Sequence, residues 1–317
     1  VDNAMLARRF GMARAWQQWV EEFIGTRTRY LAIDLDTGAR RETLTDLAAQ
    51  AGSRALAGAG LDPGAVDLVV MGTATPDMVM PTTVSMVAER LGIDGVPAYQ
   101  LQSGCSGAVQ ALDVARQMLL AGPYRTALVL GGDVCTRHFD VTTDVGSLPP
   151  EELVNVVLFG DGAGAAVLEL GAQPGTCVIR LVSARLSGLH RPPGQIVTGP
   201  AGSPGSVRED YQAIERLVPE LACELSSELL AELGWRDVAY LLPPQLSGRM
   251  TTRIMDRLAG TGAREISCVE QTGNNGNALP FLQLERLLPR MVTGDRALGL
   301  TVESSKWIKA GFALEMI

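Results

Sequence analysis

The chain has 317 residues, is 46% hydrophobic and 5% aromatic, and holds 35 glycines and 17 prolines. That composition belongs to a globular α/β protein, and the length exceeds one average domain, so two domains or two fused similar halves are expected. A net charge of −8, a pI near 5.0 and the lack of a Lys/Arg block argue against a nucleic-acid surface, which needs clustered cations.

In chain order, "TLTDLAAQAGSRALAGAG" (43–60) has apolar residues at helical spacing. Thr43 and Asp46 stand as a capping box at its start, and Gly58 and Gly60 mark its end. "VDLVVMG" (66–72) predicts a buried strand, and "VPAYQLQ" (96–102) a second strand. Cys105 follows, then a helix with Ala108, Ala111, Leu112, Ala115, Met118 and Leu119 on one face. "RTALVLGG" (125–132) predicts a third strand, and 154–170 two strands around a Gly-rich hairpin centre. The Gly/Pro-rich stretch 171–208 predicts a long loop or cover. Then come a helix over 209–233, a strand over 238–243, a helix over 249–259 and a strand over 265–270. A helix over 278–290 and strands over 296–302 and 311–317 finish the chain. The loose repetition of element order suggests a duplicated fold, with halves at 1–170 and 171–317.

Five cysteines (105, 135, 177, 223 and 268), none at CxxC spacing, and only His138 and His190 make a metal site improbable, so no metal is expected. An odd, scattered set implies reduced thiols and a cytoplasmic setting. No run is apolar enough to span a membrane, and residues 1–20 lack the apolar core of a signal peptide.

The stretch "LQSGCSGAVQALDVARQMLLAG" (101–122) carries the chemistry. Gly104, Ser106 and Gly107 leave room around Cys105 for a sharp strand-to-helix turn and for a substrate. A thiol at a helix N-terminus is expected to have a lowered pKa, and the same backbone N–H groups can hold the oxyanion of an attacked thioester. The plainer alternative is a small buried hydrophobe, which is the reading for the other four cysteines.

These residues resemble a known family. "SGCSGAVQALDVA", "ALVLGGDV" and "FGDGAGAAVLE" are similar to the β-ketoacyl-carrier-protein synthase III branch of the thiolase superfamily, as are "IGTRTRYLA" (24–32) and "QTGNNGNALP" (271–280). The resemblance implies a duplicated five-layer α-β-α-β-α thiolase fold, usually a homodimer. It implies no permanently bound cofactor, with acyl-CoA or an acyl-phosphopantetheine on an acyl carrier protein as substrate. It places Cys105 as the acylated nucleophile, Asn274 as the active-site asparagine, and Trp19 and Arg27 beside the CoA or phosphopantetheine end. Asn274 also reads as a turn residue, and Trp19 and Arg27 as a core tryptophan and a surface cation. Met78 and Met80 would line an acyl pocket or pack at the dimer face. Gly160, Asp161 and Gly162 read as a tight structural hairpin, without the Lys-Ser/Thr of a phosphate loop.

Two departures matter. The family's histidine belongs to a "PHQAN"-like run; here "LLPPQLSGRM" (241–250) puts Pro244 in its place and Ser247 in that of the asparagine. Ser247 is counted with Trp19 and Arg27 among residues expected to meet the thioester donor. Proline offers neither a titratable group nor a side-chain donor. The family's Gly-rich C-terminal loop is replaced by "ESSKWIKAGF" (303–312), which would bring Lys306 and Trp307 into the site, Lys306 as a cation or desolvated base. A second basic residue near CoA corresponds to Phe23, which favours a carrier-protein donor. Without the imidazole, decarboxylative condensation loses its enolate stabiliser, whereas acyl transfer needs less. The expected activity is therefore an acyltransferase moving an acyl group through Cys105 to a small O- or N-nucleophile, and the resemblance implies a setting in secondary-metabolite (antibiotic) biosynthesis. A condensing enzyme with another base, and a non-catalytic partner of an active homologue, are the alternatives.

Overall fold

The computed structural model describes residues 1–138, 141–148, 150–197, 207–258 and 262–317. The first sheet contains β1 (Leu68–Gly72), β2 (Ala98–Leu101), β3 (Thr126–Val134) and β4 (Asp161–Glu169), in the order β2-β1-β3-β4. β1 runs parallel to β2 and β3, and β4 is antiparallel to β3. β5 (Cys177–Leu186) belongs to the second sheet, and β6 (Gln195–Val197) pairs with β7 (Val207–Glu209) as a separate hairpin. β8 (Tyr240–Leu242), β9 (Arg264–Glu265), β10 (Arg296–Glu303) and β11 (Ile308–Met316) complete the second sheet, in the order β5-β11-β10-β8-β9. β8 runs parallel to β9 and β10, and β11 is antiparallel to β10. Apart from β5, the second sheet repeats the order and sense of the first.

The helices are α1 (Asn3–Arg9), α2 (Arg14–Trp19), α3 (Leu44–Ala59), α4 (Thr83–Leu91), α5 (Gly107–Ala121), α6 (Pro150–Leu158), α7 (Tyr211–Leu233), α8 (Gly248–Leu258), α9 (Val269–Thr272) and α10 (Leu279–Leu287). Strand alternation sorts the core into layers. Val69, Met71, Leu128 and Leu130 face α3 and α4. Leu68, Val70, Ala127 and Val129 face inward onto α5 and α10, against Tyr240, Leu242 and Ala297 of the second sheet. Leu241, Leu298 and Leu300 face α7 and α8. The sequence of layers is helix, sheet, helix, sheet, helix: the five-layer thiolase fold that the resemblance implied. The capping box of α3 forms as expected, Thr43 and Asp46 each receiving the other's backbone N–H, which contributes about 1 kcal/mol.

Three element expectations need correction. Residues 154–158 are helical, because Val154, Val157 and Leu158 pack on Trp16, Val20 and Ile24 at 3–4 spacing; a run rich in valine fits either period when read alone. The stretch 171–208 is not one loop: "CVIRLVSARL" becomes β5, registered along β11, and the β6/β7 hairpin follows. Within that stretch 198–206 lie outside the described residues, as does the end of the 249–259 helix. The strand over 265–270 shrinks to two residues of β9, followed by α9. Gly160, Asp161 and Gly162 likewise form no tight hairpin, since residues 135–160 with α6 join β3 to β4. Their role is structural by another route. A Cβ on Gly160 would stand 2.5 Å from the Thr272 carbonyl, and the Asp161 carboxylate accepts from the N–H groups of Ala32 and Thr136. Among the described residues no helix is long and apolar enough to cross a membrane.

Candidate active site

A cavity of about 60 Å³ lies where β2, β8 and β10 end. It is the carboxyl end of parallel strands, where open α/β sheets bind ligands. Cys105, Pro244, Ser247, Asn274, Gly276 and Glu209 are among the residues that line it. An outer groove of about 740 Å³ includes Trp19, Pro193, Arg208, Glu209 and Tyr211. Among the described residues only Glu209 and Tyr211 line both, and no histidine lines either.

Cys105 sits in a single 3₁₀ turn, Gly104–Ser106, between β2 and α5. Gly104 has φ +51°, and a side chain there would meet Glu303, whose Cγ is 2.5 Å from the Cβ position. Ser106 Oγ donates to the Ser103 carbonyl (2.8 Å), and the Ala108 N–H of the first α5 turn donates to Asn277 Oδ1 (2.7 Å). The expected lowering of the thiol pKa is overturned: it is pushed well above its ordinary 9.0. Burial is the largest cause; the negative charges of Glu303, Asp133 and Glu209 follow, and the cysteine's own amide N–H opposes them weakly. A turn separates the thiol from the α5 N-terminus, and Asn277 already occupies a helix N–H, so the dipole is overcome by desolvation. The cysteine is not sealed, for part of its surface stays accessible where it lines the cavity.

Asn274 reaches the cavity as expected. Its Oδ1 accepts from the Gly276 N–H (3.0 Å), so the Nδ2 end is what it offers a substrate. Pro244 does occupy the cavity wall, and the neighbouring Gln245 is structural: its Oε1 accepts from the N–H groups of Cys268 (2.7 Å) and Val269 (2.9 Å). Ser247 lines the cavity, and its Oγ accepts from the Met250 N–H (3.1 Å) at the start of α8. Trp19 lies in the outer groove. Arg27 is exposed and paired with Glu270 (2.7 Å). Phe23 lies under the Arg249 guanidinium, 5.6 Å from its ring centre.

Lys306 does not enter the site. Its Nζ donates to the Arg191 carbonyl (2.9 Å) at the surface, and Trp307 is buried with its Nε1 donating to the Pro192 carbonyl (2.7 Å). From that segment Ser304 lines the cavity, and Glu303, whose carboxylate accepts from the Ser305 N–H and Oγ, lies against Gly104. Met78 and Met80 are exposed and line neither cavity. Sequence reading passed over Glu209, Glu303 and Asn277. Only Glu303 had a local sign, an acid closing the apolar strand "RALGLTVE". Among the described residues no group of His, Cys, Asp or Glu side chains is placed to hold a metal ion.

The sequence family described as 3-oxoacyl-[acyl-carrier-protein (ACP)] synthase III matches residues 99–184. A β-ketoacyl-[acyl-carrier-protein] synthase III of Neisseria meningitidis is 30% identical over 272 residues, covering 84% of this chain and 80% of that protein. The chain therefore belongs to the β-ketoacyl-[acyl-carrier-protein] synthase III family, enzymes that act on acyl thioesters. Among solved structures, 3-oxoacyl-(acyl carrier protein) synthase III from Pseudomonas aeruginosa PAO1 superposes with a TM-score of 0.84 at 26% identity, over 99% of this chain and 93% of that one. AbyA1, a tetronic acid condensing enzyme, superposes with a TM-score of 0.96 at 63% identity, over 99% of this chain and 95% of the other.

Proposed function

We propose that the protein is a secondary-metabolite acyltransferase that works through an acyl-Cys105 and builds a tetronic acid ring. A tetronic acid is a five-membered lactone with a carbonyl-derived oxygen on the carbon two places from the ester carbonyl. Two thioesters assemble it without decarboxylation. First, Cys105 attacks a short 2-hydroxyacyl thioester; the sulfur–acyl bond forms and the donor thiol leaves with the cysteine's proton. Second, a carbon of the other substrate, acidified by two flanking carbonyls, attacks the acyl carbon; the carbon–carbon bond forms and Cys105 leaves as a thiol. Third, the 2-hydroxyl attacks the remaining thioester, closing the ester and releasing the second thiol. The balance is two thioesters to one ring and two thiols, with no change of oxidation state.

The observation that carries this reading is Pro244 at the wall beside Cys105, with no imidazole among the lining residues. A carbon between two carbonyls needs no decarboxylation and therefore no imidazole to stabilise a simple enolate. The 63% identity to a tetronic acid condensing enzyme supports the product class. The cavity, at about 60 Å³, suits a short acyl group. We take the donor to be an acyl carrier protein or CoA thioester, its phosphopantetheine arm passing along the groove of Trp19 and Arg208. The exposed Met78, Val79 and Met80 suit a homodimer face.

The test is intact-protein mass after incubation with a 2-hydroxyacyl thioester. The mass of one acyl group is expected on the wild type and none on Cys105→Ala. Addition of a β-ketoacyl thioester should discharge the adduct and yield a ring product without CO₂. Discharge to an ester or amide alone would select plain O- or N-acyl transfer, the simpler reading that Pro244 also favours. Absence of any adduct would remove both.

A further inference from the structure

Resting on that reading, the chemistry still needs a group to move protons, because desolvation and the nearby carboxylates push the Cys105 thiol pKa up and Pro244 can accept nothing. The titratable side chains that line the Cys105 cavity, among the described residues, are Cys105, Glu209 and Tyr211. Tyr211 holds its proton still more firmly than an ordinary phenol, through burial and the charges of Glu215 and Glu209. Glu303 is close behind Gly104 but does not line the cavity, and its carboxylate is occupied by Ser305. That leaves Glu209.

The fold holds Glu209 in place. It stands opposite Gln195 in the β6/β7 hairpin, and Gln195 Nε2 donates to its Oε1 at 2.6 Å. The hairpin base is clamped on both sides: the Asp210 N–H donates to the Gly194 carbonyl (2.8 Å), and the Gly194 N–H to the Ser304 carbonyl (2.9 Å). Asp210 then caps α7 through the Ala213 N–H (2.9 Å). Glu209 thus lines both the outer groove and the inner cavity that Cys105 also lines. We propose that Glu209 carries the proton in each half-reaction, in place of the family's imidazole. It takes the Cys105 proton as the acyl group arrives and gives it to the departing thiol. It then takes the proton of the attacking carbon and returns it to the Cys105 sulfur. Each transfer regenerates the carboxylate, and no further reactant is needed.

Burial raises the Glu209 pKa above the ordinary 4.5, and the Gln195 hydrogen bond works the other way. A base nearer the working pH is the more effective one. The ionisable groups around it are Cys105 and Tyr211 in the cavity and Arg208 and Asp210 beside it along the groove. The experiment follows discharge of pre-formed acyl-Cys105 by a β-ketoacyl thioester in single turnover across pH. In the wild type, discharge should rise with pH through a step above the ordinary carboxylate range. Glu209→Gln should slow it by about a hundredfold or more and remove the step, and Glu209→Asp should restore part of the rate. Gln195→Leu, which leaves the carboxylate in place, should move the step upward. Glu209→Gln discharging at the wild-type rate, or a step that Gln195→Leu leaves unmoved, overturns the assignment while the acyl-Cys105 reading stands. A wild type that never acquires the acyl group overturns both.

Discussion

Two turns, one in each half of the molecule, are built alike and carry different chemistry. After β2 the chain makes Gly104-Cys105-Ser106 and enters α5; before α10 it makes Gly276-Asn277-Ala278. Both turns are 3₁₀, and their glycines have φ +51° and +52°. Each glycine lies against an acid at the end of the central antiparallel-paired strand of its sheet, Gly104 against Glu303 of β10 and Gly276 against Asp133 of β3. Asp133 accepts from the N–H and Nδ2 of Asn277 (2.8 Å each) and from Ala74 and Thr75 N–H. Asn277 in turn holds the first turn of α5. The repeated frame supplies a close seat beside a buried carboxylate. One copy uses it to fasten the two halves together, the other to present a thiol to a cavity.

The comparison is most severely tested at the glycines. Gly276→Ala puts a Cβ 2.2 Å from Asp133 Oδ2, and Gly104→Ala one 2.5 Å from Glu303 Cγ, both in left-handed backbone. Backbone strain and overpacking together predict a loss of about 3 kcal/mol in each, read by denaturant unfolding. If the frame is shared, the two losses are similar, but only Gly104→Ala also slows acylation of the protein that remains folded. Asp133→Asn comes next, because its amide cannot accept from the full set of N–H and hydroxyl donors; it should cost about 2 kcal/mol. Glu303→Gln separates the two roles. Its charge raises the Cys105 pKa, so its removal lowers that pKa and should speed iodoacetamide alkylation of Cys105 severalfold at pH 8. In the wild type, alkylation should keep rising with pH and show no plateau below pH 9, the thiol's ordinary value being 9.0. The smallest effect is expected at Lys306→Ala, whose exposed amine meets only a loop carbonyl: under ~0.5 kcal/mol in stability and under about twofold in acylation.

Much of the frame was legible in local pattern. The Thr43 capping box, the apolar run closed by Gly72 and the helical face from Ala108 to Leu119 depend on neighbours a few residues apart, and each formed as read. The valine-rich run at 154–158 misled because its helical face is defined by α2 and the turn after it. At the site, Cys105 could be found because a small-residue turn marks it, and Asn274 and Pro244 because their segments resemble those of the family. Glu209 could not: it follows a Gly/Pro-rich stretch with no periodic signal, and its meaning lies in reaching a cavity built from distant segments.

By itself the sequence determined the α/β element order and the turn that seats the candidate nucleophile, since hydrophobic period and turn chemistry act over short range, and its motifs carried the resemblance that implied the family and the layered architecture. The protonation of that nucleophile was decided only by the tertiary structure. Burial and three carboxylates drawn from separate segments outweigh the helix end that a local reading sees, because desolvation and Coulomb forces act through space rather than along the chain.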